Sequence, residues 1–370
     1  MKVAFLLGTL NRGGTETLLL DVLKHSAGNS FEAFCVYRNE GTFSKDFHAA
    51  NAVMYRLTPG LAWNTLPYLL KLRKLFLAEK PDVIHAQQSL DAVYASIASK
   101  GLAIKVVQTF HGYDFEAGFL FKLIIRVSMW LCDVNIFVSN SQLQYYRRAY
   151  PSTNKSKQLK VYNGINFNKL DKVSVNTKQS GYDSDNGSLK IGMVGNFVPV
   201  RDQMTICRFL LLLHKAGVDF TFLFIGGKDE ANPSLYDNCV AFCTINDLMG
   251  KVQFLGSSTD VPLLLSKLDA FIYATDHDSF GIAVVEAMAA GIPVFVNDWD
   301  VMKEITANGQ YATLYKTGDE NDLLDKFSAF VNQPEKFRKS AVTNAVWARQ
   351  TYSIQNHCNR LSEVYQEVLS

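Results

Sequence analysis

The sequence predicts an α/β protein built from two doubly wound parallel-sheet domains. Three observations carry this. Short apolar runs of strand length alternate with longer runs of helical period from the first residues to about residue 162. The alternation lapses into Lys, Asn, Ser, Asp and Gly over 169–188, then restarts. At 370 residues the chain also exceeds what one hydrophobic core usually serves. Strands separated by helices imply parallel sheets covered on both faces. The expected organisation is a first domain at 1–168, a linker at 169–188, a second domain at 189–350, and a final amphipathic helix at 351–370. That helix has no strand to cover in the second sheet and is expected to pack back on the first domain.

In chain order, residues 2–7 (KVAFLL) read as a strand, followed by a turn at 8–14 and a helix near 15–25. Gly8 interrupts the apolar start too early for a signal peptide. Strands follow at 31–37, 83–86, 105–110, 134–138 and 159–162, with helices at 65–79, 90–100 and 141–150 between them. The most apolar helix, 118–131, contains Lys122 and Arg126 and is too short to span a bilayer. After the linker, strands are expected at 190–194, 220–225, 252–255, 270–274 and 293–296. Helices are expected at 203–216, 234–248, 262–267, 281–290 and 321–330, and the remainder is helical. No internal repeat or low-complexity tract appears.

Composition is that of an ordinary globular protein, 48% apolar and 19% charged. The net charge of +2 hides an asymmetry: residues 1–168 carry 19 Lys and Arg against 11 Asp and Glu, while 169–370 carry 18 against 24. A basic first half suits an acidic partner such as an anionic membrane surface, a phosphorylated lipid or an anionic glycan; Lys-rich solvated helix faces are the plain alternative. Nothing in the pattern calls for nucleic acid. The six cysteines lack a disulfide-like framework and read as reduced buried thiols. Cys239 and Cys243 lie four apart, but no second Cys or His pair completes a zinc site. Residence in the cytosol is expected, with attachment to the inner face of a plasma membrane left open.

Chemistry is most legible in 268–298, LDAFIYATDHDSFGIAVVEAMAAGIPVFVND, which reads strand, loop, helix, strand. Its loop sits at the carboxyl end of a strand, where open α/β sheets bind ligands. The amides of Phe280, Gly281 and Ile282 start a helix and can face an anion. Glu286, among Val284, Val285 and Ala287, would be costly to bury unpartnered, and a carboxylate suits two hydroxyls of a ribose or sugar. Asp278 is either a site carboxylate or a helix cap. Arg201, at the end of GNFVPVR, can clamp a diphosphate or lie on the surface. Gly13 and Gly14 precede a helix and allow close backbone approach to an anion, although taken alone a simple tight turn is the plainer reading; neither a dinucleotide fingerprint nor a P-loop follows. His111, after a strand and before Gly112, is presented as site histidines often are. A histidine satisfied in its loop is the alternative for His111 and the preferred reading for His85, and His277 reads as solvated.

These residues together resemble a retaining glycosyltransferase of GT-B fold from glycosyltransferase family 4. The resemblance spans essentially the whole chain. It rests on the Gly13, Gly14 and Glu16 turn, PDVIHAQ, His111-Gly112, VYNGIN, GNFVPVRDQ, FIGGKDE and VQFLG. The most specific match is Asp278, seven residues, Glu286, then Ala-x-Ala-x-Gly-x-Pro, which resembles the family's Glu, seven residues, Glu signature. It implies two Rossmann-like domains facing across a cleft. It also implies transfer of a hexose, with retained configuration and no metal or other cofactor, from a nucleotide diphosphate sugar such as a UDP-sugar. The acceptor would be a hydroxyl on a glycan or lipid-linked glycan, in bacterial-type surface polysaccharide or glycolipid synthesis.

By position, Glu286 would hold the ribose. Ser279, Phe280 and Gly281 would offer amides to the diphosphate and sugar, with Gly195 and Asn196 in the donor site. Arg201 would neutralise the leaving group, and Asp278 would stand beside the donor sugar. His111 would approach the donor from the first domain, and Gly13 and Gly14 would line the cleft. Two departures stand out: Asn196 replaces an arginine of the family pattern, and Asp278 replaces its first glutamate. These departures motivate one alternative, a non-catalytic sugar-nucleotide binder; a GT-B enzyme of different reaction type, such as a sugar-nucleotide epimerase, is another.

Overall fold

A computed structural model describes residues 1–26, 31–50, 52–58, 65–115, 117–151, 158–172, 188–258 and 260–370. Most of the linker expected at 169–188 therefore lies outside the described residues. The chain divides into two compact units, one of residues 1–165 and 352–370, the other of 166–351.

The first unit contains a seven-stranded parallel sheet: β1 (Lys2–Thr9), β2 (Glu32–Asn39), β3 (Val53–Arg56), β4 (Val83–Ala86), β5 (Lys105–Phe110), β6 (Val134–Phe137) and β7 (Gln158–Lys160). Their order is β3-β2-β1-β4-β5-β6-β7, so the winding reverses between β1 and β4. Both faces of this sheet are buried. Val3, Phe5 and Leu7 enter one apolar cluster, while Ala4 and Leu6, pointing the other way, enter a second with Tyr68, Leu72 and Phe76. The C-terminal helix Ile354–Leu369 belongs to this unit; its Leu361, Val364 and Tyr365 join the first cluster.

The second unit carries a six-stranded parallel sheet: β8 (Leu189–Val194), β9 (Phe220–Ile225), β10 (Val252–Phe254), β11 (Ala270–Tyr273), β12 (Val294–Asn297) and β13 (Thr313–Tyr315). The order β10-β9-β8-β11-β12-β13 reverses between β8 and β11. Phe271↔Val294 and Ala270↔Ile191 set the register of β11 between its neighbours.

Among the described residues, helix Ser44–His48, β3, helix Asp300–Ile305 and β13 escape the sequence reading, and 168–172, where the linker was expected to begin, are helical. β3 lies at the sheet edge with none of its residues fully buried, so it lacks the apolar run that marks an inner strand. β13 is three residues long. All six cysteines are buried and free, and Cys207 and Cys243 approach to 3.9 Å between sulfurs.

Candidate active site

In an open α/β sheet the loops on either side of the winding reversal diverge and leave a crevice at the strand carboxyl ends. In the second unit those loops follow β8 and β11, and they carry Gly195, Asn196 and Arg201 on one side and Asp278 to Gly281 on the other. The structure stitches the loops together by backbone. Asp276 donates its N–H to Val200 O (3.1 Å) and Asp202 to Ala274 O (3.3 Å). Thr275 donates its hydroxyl to Val200 O (2.6 Å), and its amide and carbonyl are held by the Asn297 side chain at 3.0 and 2.7 Å.

This scaffold brings Arg201 and Asp278 into contact. Arg201 Nη2 lies 3.1 Å from Asp278 Oδ2, with the two side chains 18% and 12% exposed. Arg201 Nη1 donates to Thr275 Oγ1 at 3.3 Å, and its guanidinium lies 5.1 Å from the centre of the Tyr273 ring. Tyr273, fully buried, donates its hydroxyl to the same carboxylate oxygen at 2.8 Å. The Phe280 amide donates to Asp278 Oδ1 at 3.3 Å. Burial opposes the charge of Arg201, but Tyr273 and Asp278 outweigh it and hold its pKa above the ordinary value. Burial raises the Tyr273 hydroxyl well above its usual range, so it serves only as a neutral donor. Arg201 Nε is buried without a hydrogen-bond partner, and so is the indole N–H of Trp299, just beyond β12.

Asn196 is exposed; its Oδ1 accepts the Gly227 amide at 2.8 Å and its carbonyl accepts Gln203 Nε2 at 3.1 Å. A Cβ on Gly226 would meet Gly195 O at 2.0 Å, so only glycine lets these two loops approach. Gly281 takes a left-handed φ of +85° and caps helix Ile282–Ala289 without a side-chain hydrogen bond, so that helix opens on backbone amides. Ser279 and Glu286 are half-buried, Glu286 in the second turn of that helix. The capping role considered for Asp278 reduces to its bond with Phe280.

In the first unit a cavity of about 450 Å³ lies at the β1/β4 reversal, lined among others by Glu16, Arg38, Gln87, Gln88 and His111. Gly13 and Gly14 open helix Gly14–Ser26, but the cavity wall is made by the following Thr15 and Glu16. His111 Nε2 lies 2.8 Å from Gln87 Oε1. Burial, reinforced by nearby His357, pushes the His111 pKa down to about 3, so the ring is neutral near pH 7. Arg38 pairs with buried Asp91 at 3.1 Å. Burial lifts that carboxyl to about 6 against the opposing pull of Arg38. His85 is a satisfied core residue, bonded to the Tyr365 hydroxyl at 2.6 Å and Thr109 at 2.7 Å. His277, expected in solvent, is half-buried.

Sequence reasoning missed Tyr273, Thr275, Asn297, Trp299 and Arg38. One signal existed for Arg38, a cation directly after the apolar run ending at Tyr37. Among the described residues no group of three His, Cys, Asp or Glu side chains converges as a metal site. No helix among them is long and apolar enough to cross a membrane.

Comparison with known proteins agrees with this architecture. The model of glycosyl transferases group 1 matches residues 175–346, and that of glycosyltransferase family 4 matches 12–169. A Campylobacter jejuni relative, N,N'-diacetylbacillosaminyl-diphospho-undecaprenol alpha-1,3-N-acetylgalactosaminyltransferase, is 24% identical over 85% of this chain and 83% of its own. N-acetyl-alpha-D-glucosaminyl L-malate synthase of Bacillus anthracis is 24% identical over 81% and 78%. Among solved structures, Anabaena HepE in complex with UDP and glucose superposes with a TM-score of 0.82 at 20% identity, covering 99% of both chains. A glycosyltransferase from Rickettsia africae reaches 0.86 at 18%, covering 100% of this chain and 98% of its own. The chain therefore has the GT-B fold and belongs to the group 1, family 4 glycosyltransferases.

Proposed function

We propose that the chain is a retaining, metal-independent hexosyltransferase that moves a sugar from a UDP-sugar to a hydroxyl of a glycan or lipid-linked glycan. On this reading it works in the synthesis of a bacterial-type surface polysaccharide or glycolipid. It resides in the cytosol, its basic first unit held at an anionic membrane surface. The observation that carries the reading is the Arg201 guanidinium fixed across the winding reversal of the second unit, on the loop side where helix Ile282–Ala289 opens. The relatives' names support the acceptor class, since the Campylobacter enzyme is named for a diphospho-undecaprenol substrate. The UDP complex of HepE supports the donor class.

The chemical step breaks the bond from the anomeric carbon to the diphosphate, whose oxygen leaves with the electron pair, while the acceptor oxygen bonds to that carbon and passes its hydroxyl proton to the departing diphosphate oxygen. Negative charge grows on the diphosphate as the sugar becomes oxocarbenium-like. Fixed positive charge that needs no reorganisation is what lowers such a barrier. Arg201 and the amides of Gly281 and Ile282 supply it here without a metal or other cofactor, while the Phe280 amide, expected to join them, is engaged by Asp278. Arg201 Nε, a buried donor with no partner, suits a phosphate oxygen. Glu286 accepts the ribose hydroxyls. Ser279, Gly195 and Asn196 border the donor, Asn196 through its hold on the Gly227 amide. Asp278 acts on the donor sugar and at the same time orients Arg201. His111, neutral near pH 7, exchanges hydrogen bonds with oxygens entering the cavity it lines, and Gly13 and Gly14 lead into Thr15 and Glu16, which line the same cavity.

The test is incubation with UDP-sugars and glycan acceptors, following nucleotide release and the anomeric configuration of the product by NMR. Release of UDP with a glycoside of retained configuration supports the reading. Donor binding without turnover, or an altered free sugar formed with no acceptor, overturns it.

A further inference from the structure

Helix Phe119–Leu131 carries a broad apolar face that the protein leaves uncovered. Its Ile125 and Met129 are buried in a cluster with Phe110, Phe137 and Tyr146. At roughly 100° per residue, the opposite arc holds Phe119, Leu120, Leu123, Val127 and Trp130, which are 81%, 74%, 46%, 37% and 70% exposed. Lys122 and Arg126, both exposed, border that arc, and no acidic residue occurs from 117 to 132. Isolated exposed leucines are ordinary, but a continuous stripe of large apolar groups marks a contact surface. The same helix layer extends the pattern. Helix Ser89–Ala98 packs against both Phe119–Leu131 and Thr65–Glu79, and the last of these exposes Leu66 and Leu70 beside Lys71 and Lys74.

We propose that helix Phe119–Leu131 docks the chain on an anionic bilayer, lying in the plane of the interface. Phe119, Leu120, Leu123 and Trp130 enter the acyl boundary, and Lys122 and Arg126 meet lipid phosphates. Charge favours a bilayer over a protein partner or a second copy. The charged residues that border the stripe are both cations, so two copies meeting face to face would juxtapose like charges. Aromatic side chains at both ends of a basic amphipathic helix suit the headgroup boundary. Phe121 and Ile125 of this helix also line the 450 Å³ cavity beside Arg38 and His111. It follows, resting on the transferase reading above, that a lipid-carried acceptor reaches that cavity along the membrane surface.

The test uses the full chain, without donor or acceptor, in co-sedimentation with vesicles of phosphatidylcholine alone or mixed equally with phosphatidylglycerol. Strong partition is expected only onto the anionic vesicles. Phe119→Ser combined with Trp130→Ser should lower it at least ~10-fold, because two large apolar groups lose their burial. Lys122→Gln with Arg126→Gln should lower it several-fold and weaken its salt dependence. The exposed side chains leave the unfolding temperature and any shift produced by UDP-sugars unchanged. Equal partition of wild type and the Phe119→Ser/Trp130→Ser variant would overturn the proposal. So would conversion of a dimer to a monomer by that variant in sedimentation velocity, which would make the stripe a subunit interface. Because vesicle binding is read without turnover, failure of docking and failure of the transferase reading remain separate results.

Discussion

Replacing Arg201 with alanine should have two effects that separate experimentally. Its guanidinium, 18% exposed, is paired at 3.1 Å with an Asp278 carboxylate that is 12% exposed. Without it, Asp278 keeps only the Tyr273 hydroxyl and the Phe280 amide as donors. Breaking a fully buried pair on one side costs about 3–5 kcal/mol, and the surviving donors and residual exposure reduce this to about 2 kcal/mol. At about 2–4 °C per kcal/mol for a unit of this size, Tm falls by roughly 6 °C. Adding Asp278→Ala removes the stranded charge, so the double variant should recover about 1 kcal/mol relative to Arg201→Ala alone. Turnover behaves differently. Loss of the cation at the leaving group should cost about 10²–10³-fold, and the second substitution should restore none of it. Urea unfolding of the wild type, both single variants and the double variant gives the coupling, and steady-state transfer assays give the turnover. Additive stabilities with no coupling would refute the pair, and near-wild-type turnover of Arg201→Ala would remove it from the leaving group.

Glu286→Ala should raise the donor KM by roughly 10²–10⁴-fold, since a charged acceptor of two hydroxyl hydrogen bonds contributes about 1.5–3 kcal/mol for each; an unchanged donor KM would contradict the ribose assignment. Gly226→Ala drives a Cβ into backbone at Gly195 O. It should destabilise the chain by about 2–4 kcal/mol and abolish donor binding, as read by thermal unfolding with and without UDP-sugar. Acidification should destabilise the first unit. Burial holds His85 neutral well below the ordinary histidine range, His357 down to about 4 and His111 down to about 3. As pH falls from about 6.5, the unfolded chain therefore takes up protons that the folded one refuses, losing about 1.4 kcal/mol per pH unit at each histidine. Asp91, lifted to about 6, binds its proton more readily when folded and offsets one of the three. Thermal unfolding followed between pH 7 and pH 5 should fall, and His85→Gln should flatten the slope; a flat wild-type profile would contradict this.

The inner strands were legible because both faces of a parallel sheet are buried and leave continuous apolar runs. β4, β5 and β9 occupy the residues that their runs predict. Edge strands leave no such run, and for that reason Val53–Arg56 was missed. The site was legible wherever chemistry follows from local position: a glycine where a helix begins, an arginine on a loop after a strand, a carboxylate one turn into a helix. The partnership of Arg201 with Asp278 was not. They stand far apart in sequence and meet only because β8 and β11 are neighbours in the sheet order. Tyr273 reads as an ordinary buried strand residue until the fold of the following loop returns Asp278 to its hydroxyl. Neither the sheet order nor that return is encoded in periodicity. The basic first half was visible as a charge count, but its concentration beside an uncovered apolar stripe required knowing which face of Phe119–Leu131 is buried.

The central claim is that the second unit binds a nucleotide sugar through Glu286 and Arg201. Thermal unfolding against UDP-, GDP- and ADP-sugars tests it most directly, since a ligand that binds only the folded chain raises Tm by mass action. A UDP-sugar should stabilise the wild type and leave Glu286→Ala and Arg201→Ala unshifted. No shift with any donor, or the same shift in both variants, would contradict the account.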